Sequence, residues 1–106
     1  MSRYAVAKPY ALPASLDQLA GPTVGAVTLP RHLDWGPPYT YDLGDPADLV
    51  LMYERVIREA QSPADLHEHL DRNTLLRTWA ELFLPRELRA LWQARFPELG
   101  PRAAAA

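Results

Sequence analysis

From Asp45 onward the chain alternates apolar and polar positions with helical spacing. Leu49, Met52, Tyr53, Val56, Ile57 and Ala60 fall at i, i+3, i+4, i+7, i+8 and i+11, while Glu54, Arg55, Arg58 and Glu59 occupy the opposite face. The pattern predicts an amphipathic helix, with Glu54/Arg58 and Arg55/Glu59 as i, i+4 ion pairs. Its start is spelled Asp45-Pro46-Ala47-Asp48-Leu49, and nearly the same words return at Ser62-Pro63-Ala64-Asp65-Leu66. In each, an oxygen-bearing cap precedes a proline at the first helical position, and an aspartate at the third faces unpaired amides. A second helix is therefore expected from Pro63 to about Leu70, anchored by Leu66 and Leu70. The two openings share capping grammar and are not a duplication, because the helices that follow differ in length and in apolar face.

A third helix is expected from Asp71 or Asn73, presenting Leu75, Leu76, Trp79, Leu82 and Phe83, and ending at Leu84-Pro85. Pro85 should open a fourth helix reaching Phe96, with Leu88, Leu91, Trp92 and Phe96 on one face; Pro97 stops it. The expected core is Leu49, Met52, Tyr53, Val56, Ile57, Leu66, Leu70, Leu75, Trp79, Leu82, Leu88, Leu91 and Trp92.

No periodic face exists before Asp45. The first 44 residues hold most of the eleven prolines. One short helix at Ser15 to Ala20 fits, with Ser15 as its cap. Thr23 to Leu29 is rich in β-branched residues and bounded by Pro22 and Pro30, which marks a short strand or extended run, weakened by Gly25. Trp35-Gly36-Pro37-Pro38 reads as a turn or polyproline stretch, and Tyr39 to Leu43 alternates like a second short strand that would pair with the first across a long connection. The expected fold is thus mainly α: a small bundle of three to four helices at residues 45–99, with an extended, proline-rich N-terminal arm at residues 1–44 holding one or two short strands. Residues 100–106 read as a disordered tail.

Composition narrows the functional classes. At 106 residues the chain suits one small domain that folds without staples, and no cofactor is called for. The absence of cysteine excludes disulfide scaffolds, thiolate metal sites and cysteine nucleophiles, and it fits a reducing cytoplasm. Met1 to Ala20 lacks an unbroken apolar stretch, so neither a signal peptide nor a membrane span is expected. The formal charge of -2, with arginines matched by acids after Ser62, argues against nucleic acid as a partner.

Candidate chemistry is sparse. His67-Glu68-His69, flanked by Asp65 and Asp71, is the densest set of metal-ligand types, yet residues two apart on a helix diverge by about 200° and cannot readily share one ion. Asp65/His69 and His67/Asp71 would share a face, but no third ligand follows, so a solvated helix surface is the expectation and no metal site is assigned. Ser2, Ser15 and Ser62 lie outside any nucleophile-elbow pattern, and the five glycines form no phosphate loop. A helix-turn-helix over Thr74 to Phe96 would place Arg86, Arg89 and Arg95 against DNA, against which stand the acidic total and the missing basic stripe. Trp35, Tyr39 and Tyr41 sit on extended chain. They either anchor a partner or fold back as a lid over Trp79 or Trp92.

Several of these residues carry a resemblance. Leu29-Pro30, Leu33-Asp34-Trp35, Tyr41-Asp42-Leu43, Asp45-Pro46 and Tyr53 to Glu59, followed by Trp79, Leu82, Leu84-Pro85, Arg89, Trp92 and Phe96 to Leu99, resemble a group of small actinobacterial proteins. Those look like the short partners encoded beside nucleotidyltransferase toxins of the AbiEii kind. The likeness spans about Leu29 to Leu99. It implies an antitoxin-like inhibitor, non-catalytic, that binds a toxin and blocks its nucleotide or RNA site; no catalytic residue carries over, nor does the winged helix of larger antitoxins. Together with the arm, this makes Trp35, Tyr39 and Tyr41 the expected partner anchors, with Arg86 and Arg89 at the rim.

Overall fold

The computed structural model describes residues 10–100. Among them the chain is mainly α: helices α1 (Pro46–Glu59), α2 (Pro63–His69), α3 (Arg72–Thr78) and α4 (Arg86–Arg95), with strands β1 (Ala26–Thr28) and β2 (Thr40–Asp42) paired antiparallel. Short 3-10 turns occur at Leu16–Gln18, Trp79–Glu81 and Pro97–Leu99. Of the tail expected at residues 100–106, all but Gly100 lies outside the described residues, as does the beginning of the expected arm. No helix among the described residues is long and apolar enough to cross a membrane.

Capping sets the helix starts. Asp45 accepts from the Ala47 amide at 3.1 Å, as the first opening predicts. At the second opening Ser62 holds the cap position without using its hydroxyl. The upstream Gln61 amide goes instead to the Asp65 carboxylate, at 2.9 Å. Asp71 caps α3 by accepting from the amide and hydroxyl of Thr74, at 3.0 and 2.9 Å, while its own amide donates to the Tyr53 hydroxyl at 2.8 Å. This last bond fixes the α2–α3 corner to the middle of α1.

α3 is shorter than the apolar spacing suggests. It tightens into a 3-10 turn at Trp79–Glu81, after which Leu82 is extended. Extended backbone alternates its side chains, so Leu82 and Leu84 turn inward and Phe83 is driven out to 81% exposure. Leu91, the one residue of the expected core that fails, is exposed at the margin of α4, whose inward stripe is Leu88 and Trp92. The remaining expected core is buried, with Trp92 stacked between Trp79 and Phe96 at centroid distances of 6.0 and 5.7 Å.

Residues 10–44 do not stand off as an arm. Leu16, Leu19, Leu29, Leu33, Tyr41 and Leu43 are buried in the same apolar cluster as the helices. The segment is also fastened by its backbone: the amides of Ala20 and Gly21 donate to the carbonyls of His67 and Leu70, both at 2.8 Å, satisfying acceptors that the end of α2 leaves unpaired. Gly21 is required there, since a Cβ would meet the His69 carbonyl carbon at 2.3 Å. The irregular leucine spacing hid this packing, because a wrapped segment meets α1, α2 and α3 at different points and keeps no period of its own. The boundary expected at residue 44 is a change of local structure inside one core.

Candidate functional site

The two aspartates of the repeated opening do more than face the amides of their own helices. Both are buried, and both hold a residue from the wrapped segment. Asp48 accepts from the Tyr39 hydroxyl at 2.8 Å with one oxygen and from the Asp42 amide at 2.9 Å with the other. Asp65 accepts from His32 Nε2 at 2.8 Å and from the Gln61 amide. Burial works against ionisation of Asp65, and the Gln61 amide and the His32 ring together outweigh it, so the carboxyl sits below its ordinary range. Its carboxylate therefore serves His32, not the His69 partner that helical spacing suggests. The His69 ring donates to the Asp65 backbone carbonyl at 2.8 Å.

Held this way, residues 34–42 lie against the outer side of α1 and bring the three predicted aromatics together. Tyr39 and Tyr41 meet edge to face, with centroids 4.8 Å apart. The Tyr41 hydroxyl donates to Asp34 at 2.8 Å. Arg55, 3.8 Å from the same carboxylate, spreads its guanidinium over the Trp35 ring at 5.4 Å. Burial first, and then the bond to Asp34, push the Tyr41 hydroxyl up to about 12, and the bond to Asp48 raises that of Tyr39. Both phenols are therefore neutral donors at ordinary pH.

Between these rings and α1 lies a cavity of about 360 Å³, lined by Tyr39, Tyr41, Leu51, Glu54, Arg55 and Arg58. Around it Trp35, Tyr39 and Leu51 are 56%, 48% and 52% exposed. Glu54 accepts from the Phe83 amide at 2.8 Å, tying the exposed Phe83 loop to the same helix. The result is an amphipathic concavity, lined by aromatic and aliphatic side chains together with Glu54, Arg55 and Arg58. A second cavity, of about 290 Å³, lies between the start of α1 and α3 and is lined by Leu43, Leu49, Thr74, Arg77 and Thr78 among others.

The predicted residues divide clearly. Trp35 and Tyr39 are at the surface. Tyr41 is not: it is buried, and it packs edge to face against Tyr39. Arg86 is exposed on the first turn of α4, outside the cavity. Arg89 is withdrawn from any rim, because its guanidinium donates to the carbonyls of Leu82 and Trp79 and lies 4.7 Å over the Trp79 ring. It closes the end of the α3 turn by satisfying the carbonyls the helix leaves behind. Arg95 lies over Phe96 at 5.7 Å.

Leu51, Arg55, Asp34 and Asp48 complete the site; the sequence marks Asp48 as a helix-start acid and Arg55 as half of an i, i+4 pair, and assigns none of the four to a site. Leu51 alone carried a signal for one, as an apolar residue on the polar face of α1. No protein-family model, curated protein or solved structure matches this chain.

Proposed function

We propose that this chain is a non-catalytic protein-binding module whose docking face is the concavity framed by Trp35, Tyr39 and Leu51. One observation carries the reading: Tyr39 and Leu51 stand about half-exposed on a cavity, with Trp35 over the neighbouring Arg55, and its tyrosines are held by the buried Asp48 carboxylate and the partly buried Asp34. Neighbouring aromatic and aliphatic groups left in water are costly to a monomer and favour burial against a partner. Preorganisation by Asp34 and Asp48 lowers the ordering cost of that association. Arg55, with its guanidinium over the Trp35 ring, supplies the mixed aromatic and arginine character of interface centres.

The resemblance noted above makes a nucleotidyltransferase-type toxin the proposed partner and inhibition the proposed outcome. The engagement of Arg89 within its own chain weakens the alternative of a DNA-binding regulator, which would need that side chain on the recognition surface. The test is co-expression with the protein encoded beside this one. A stable complex, relief of growth arrest, and loss of both on Trp35→Ala or Leu51→Asp are expected. A folded chain that forms no complex with either genomic neighbour would refute the reading.

A further inference from the structure

β1 offers one free edge, and the hydrogen bonding of the hairpin identifies its groups. Residues 26, 27 and 28 pair with 42, 41 and 40. The Leu43 amide donates to the Gly25 carbonyl at 2.8 Å, which makes 25/43 a hydrogen-bonded pair of the ladder. Such pairs alternate in antiparallel strands, so 26/42 and 28/40 are the non-hydrogen-bonded pairs between them. Two side-chain contacts agree. The Thr28 and Thr40 hydroxyls lie 2.8 Å apart, as the closer spacing of that pair type allows, and the Asp42 amide points away from β1, to Asp48.

Ala26 and Thr28 therefore turn both their amides and their carbonyls away from β2. Among the described residues nothing bonds to these four groups. The run from Pro22 to Pro30 carries no charge, Ala26 and Thr28 are exposed, and Val24 beside them is 78% exposed. Proteins ordinarily protect such an edge with lysine, a bulge or a cover. Here only the flanking prolines limit it, and they limit it to a short window.

We propose that this edge pairs antiparallel with the same edge of a second copy of the chain, across a two-fold axis through Val27. Ala26 then faces Thr28 of the second copy, and each such pair exchanges two bonds, four in all. The donors and acceptors are self-complementary in this register, and no like charges are brought together. A strand from an unrelated protein would find backbone groups but no side-chain recognition, since no residue of β1 lines either cavity. The paired triplets are short, so the dimer is weak and concentration-dependent.

The experiment is sedimentation velocity over a wide concentration series. A monomer–dimer equilibrium is expected. Ala26→Pro removes an outward amide that the hairpin does not use, and it should weaken dimerisation by about tenfold or more. If that variant does not fold, the register is read instead by mixing an Ala26→Glu chain with a Thr28→Lys chain. The mixture should form heterodimers several-fold in preference to either homodimer, because the opposite charges face each other only in the proposed register. A chain that stays monomeric throughout overturns the proposal. So does a dimer insensitive to these substitutions, or one broken only by Trp35→Ala. Partner binding through Trp35 should survive Ala26→Pro, which separates this test from that of the docking face.

Discussion

Replacing Asp48 by alanine removes the post to which the wrapped segment is tied. The carboxylate accepts the Asp42 amide at 2.9 Å and the Tyr39 hydroxyl at 2.8 Å, and it lies in the first turn of α1. A hydrogen bond from an amide to a charged, mostly buried acceptor contributes about 1.5–3 kcal/mol, and an acid in the first helical turn a further ~0.3–1 kcal/mol. The expected loss is therefore about 2–4 kcal/mol, a large fraction of the roughly 5–15 kcal/mol that holds a small domain folded. Urea denaturation measures it directly, and the melting temperature should fall by roughly 10–20 °C. Asp48→Asn separates the charge from the bond, because its amide oxygen still accepts one donor. In that variant the Tyr39 phenol, now raised chiefly by its bond to Asp48, should titrate closer to its ordinary value by ultraviolet absorbance. A stability loss in Asp48→Ala below about 0.5 kcal/mol, within the range of ordinary surface changes, would refute the assignment of Asp48 as the tie.

Four other outcomes are expected. Gly21→Ala drives a Cβ into the α2–α3 corner and disturbs two backbone bonds, so it should cost about 2–3 kcal/mol in urea titration. The raised Tyr41 pKa means that its contribution to stability is fully present below pH 10 and is lost as pH rises from 10 towards about 12; Tyr41→Phe should flatten that alkaline limb, by on the order of 1 kcal/mol after solvent screening. Asp65 has the opposite sign: its lowered pKa gives stability present above the unfolded value of 3.8 and lost as pH falls through the folded one, so Asp65→Asn should flatten the acid limb in pH-dependent melting. Arg89→Ala should destabilise by about 1–3 kcal/mol through the unpaired Leu82 and Trp79 carbonyls, and Arg89→Lys should restore little, since a single ammonium cannot copy the planar fork that both donates to these carbonyls and stacks on Trp79.

The helices were legible because their cause is local. A 3.6-residue apolar period, proline at the first turn and an acid beside it are readable without knowing what the helix packs against. The wrapped segment was not, because Leu16, Leu19, Leu29, Leu33 and Leu43 are buried by contacts with distant parts of the chain and follow no period. The same difference runs through the candidate site. Trp35 and Tyr39 stood out as aromatics without a periodic face, and they are exposed; Tyr41 looked identical by that criterion and is buried. What separates them is position along the segment: Tyr41 is the central residue of β2, paired with Val27 and bonded to Asp34, whereas Trp35 and Tyr39 precede the strand. Asp48 and Asp65 read correctly as acids at helix starts, yet their side chains also reach upstream residues, His32 among them, that no local rule connects to them. Arg89 shows the converse error: a solvent-facing arginine by spacing, drawn inward by carbonyls that the early end of α3 exposed.

The wrap has a consequence for synthesis. A ribosome makes the segment before its seat, since Ala20 and Gly21 dock on carbonyls of His67 and Leu70, about fifty residues later in translation. At roughly 5–20 residues per second, that seat follows several seconds after the segment, while the uncharged Thr23–Leu29 run waits about one to a few seconds for β2 to pair with it. Pro22 and Pro30 stand at either side of that interval's most adhesive stretch. They limit that stretch on the nascent chain during the time when neither β2 nor α2 yet exists to hold the segment.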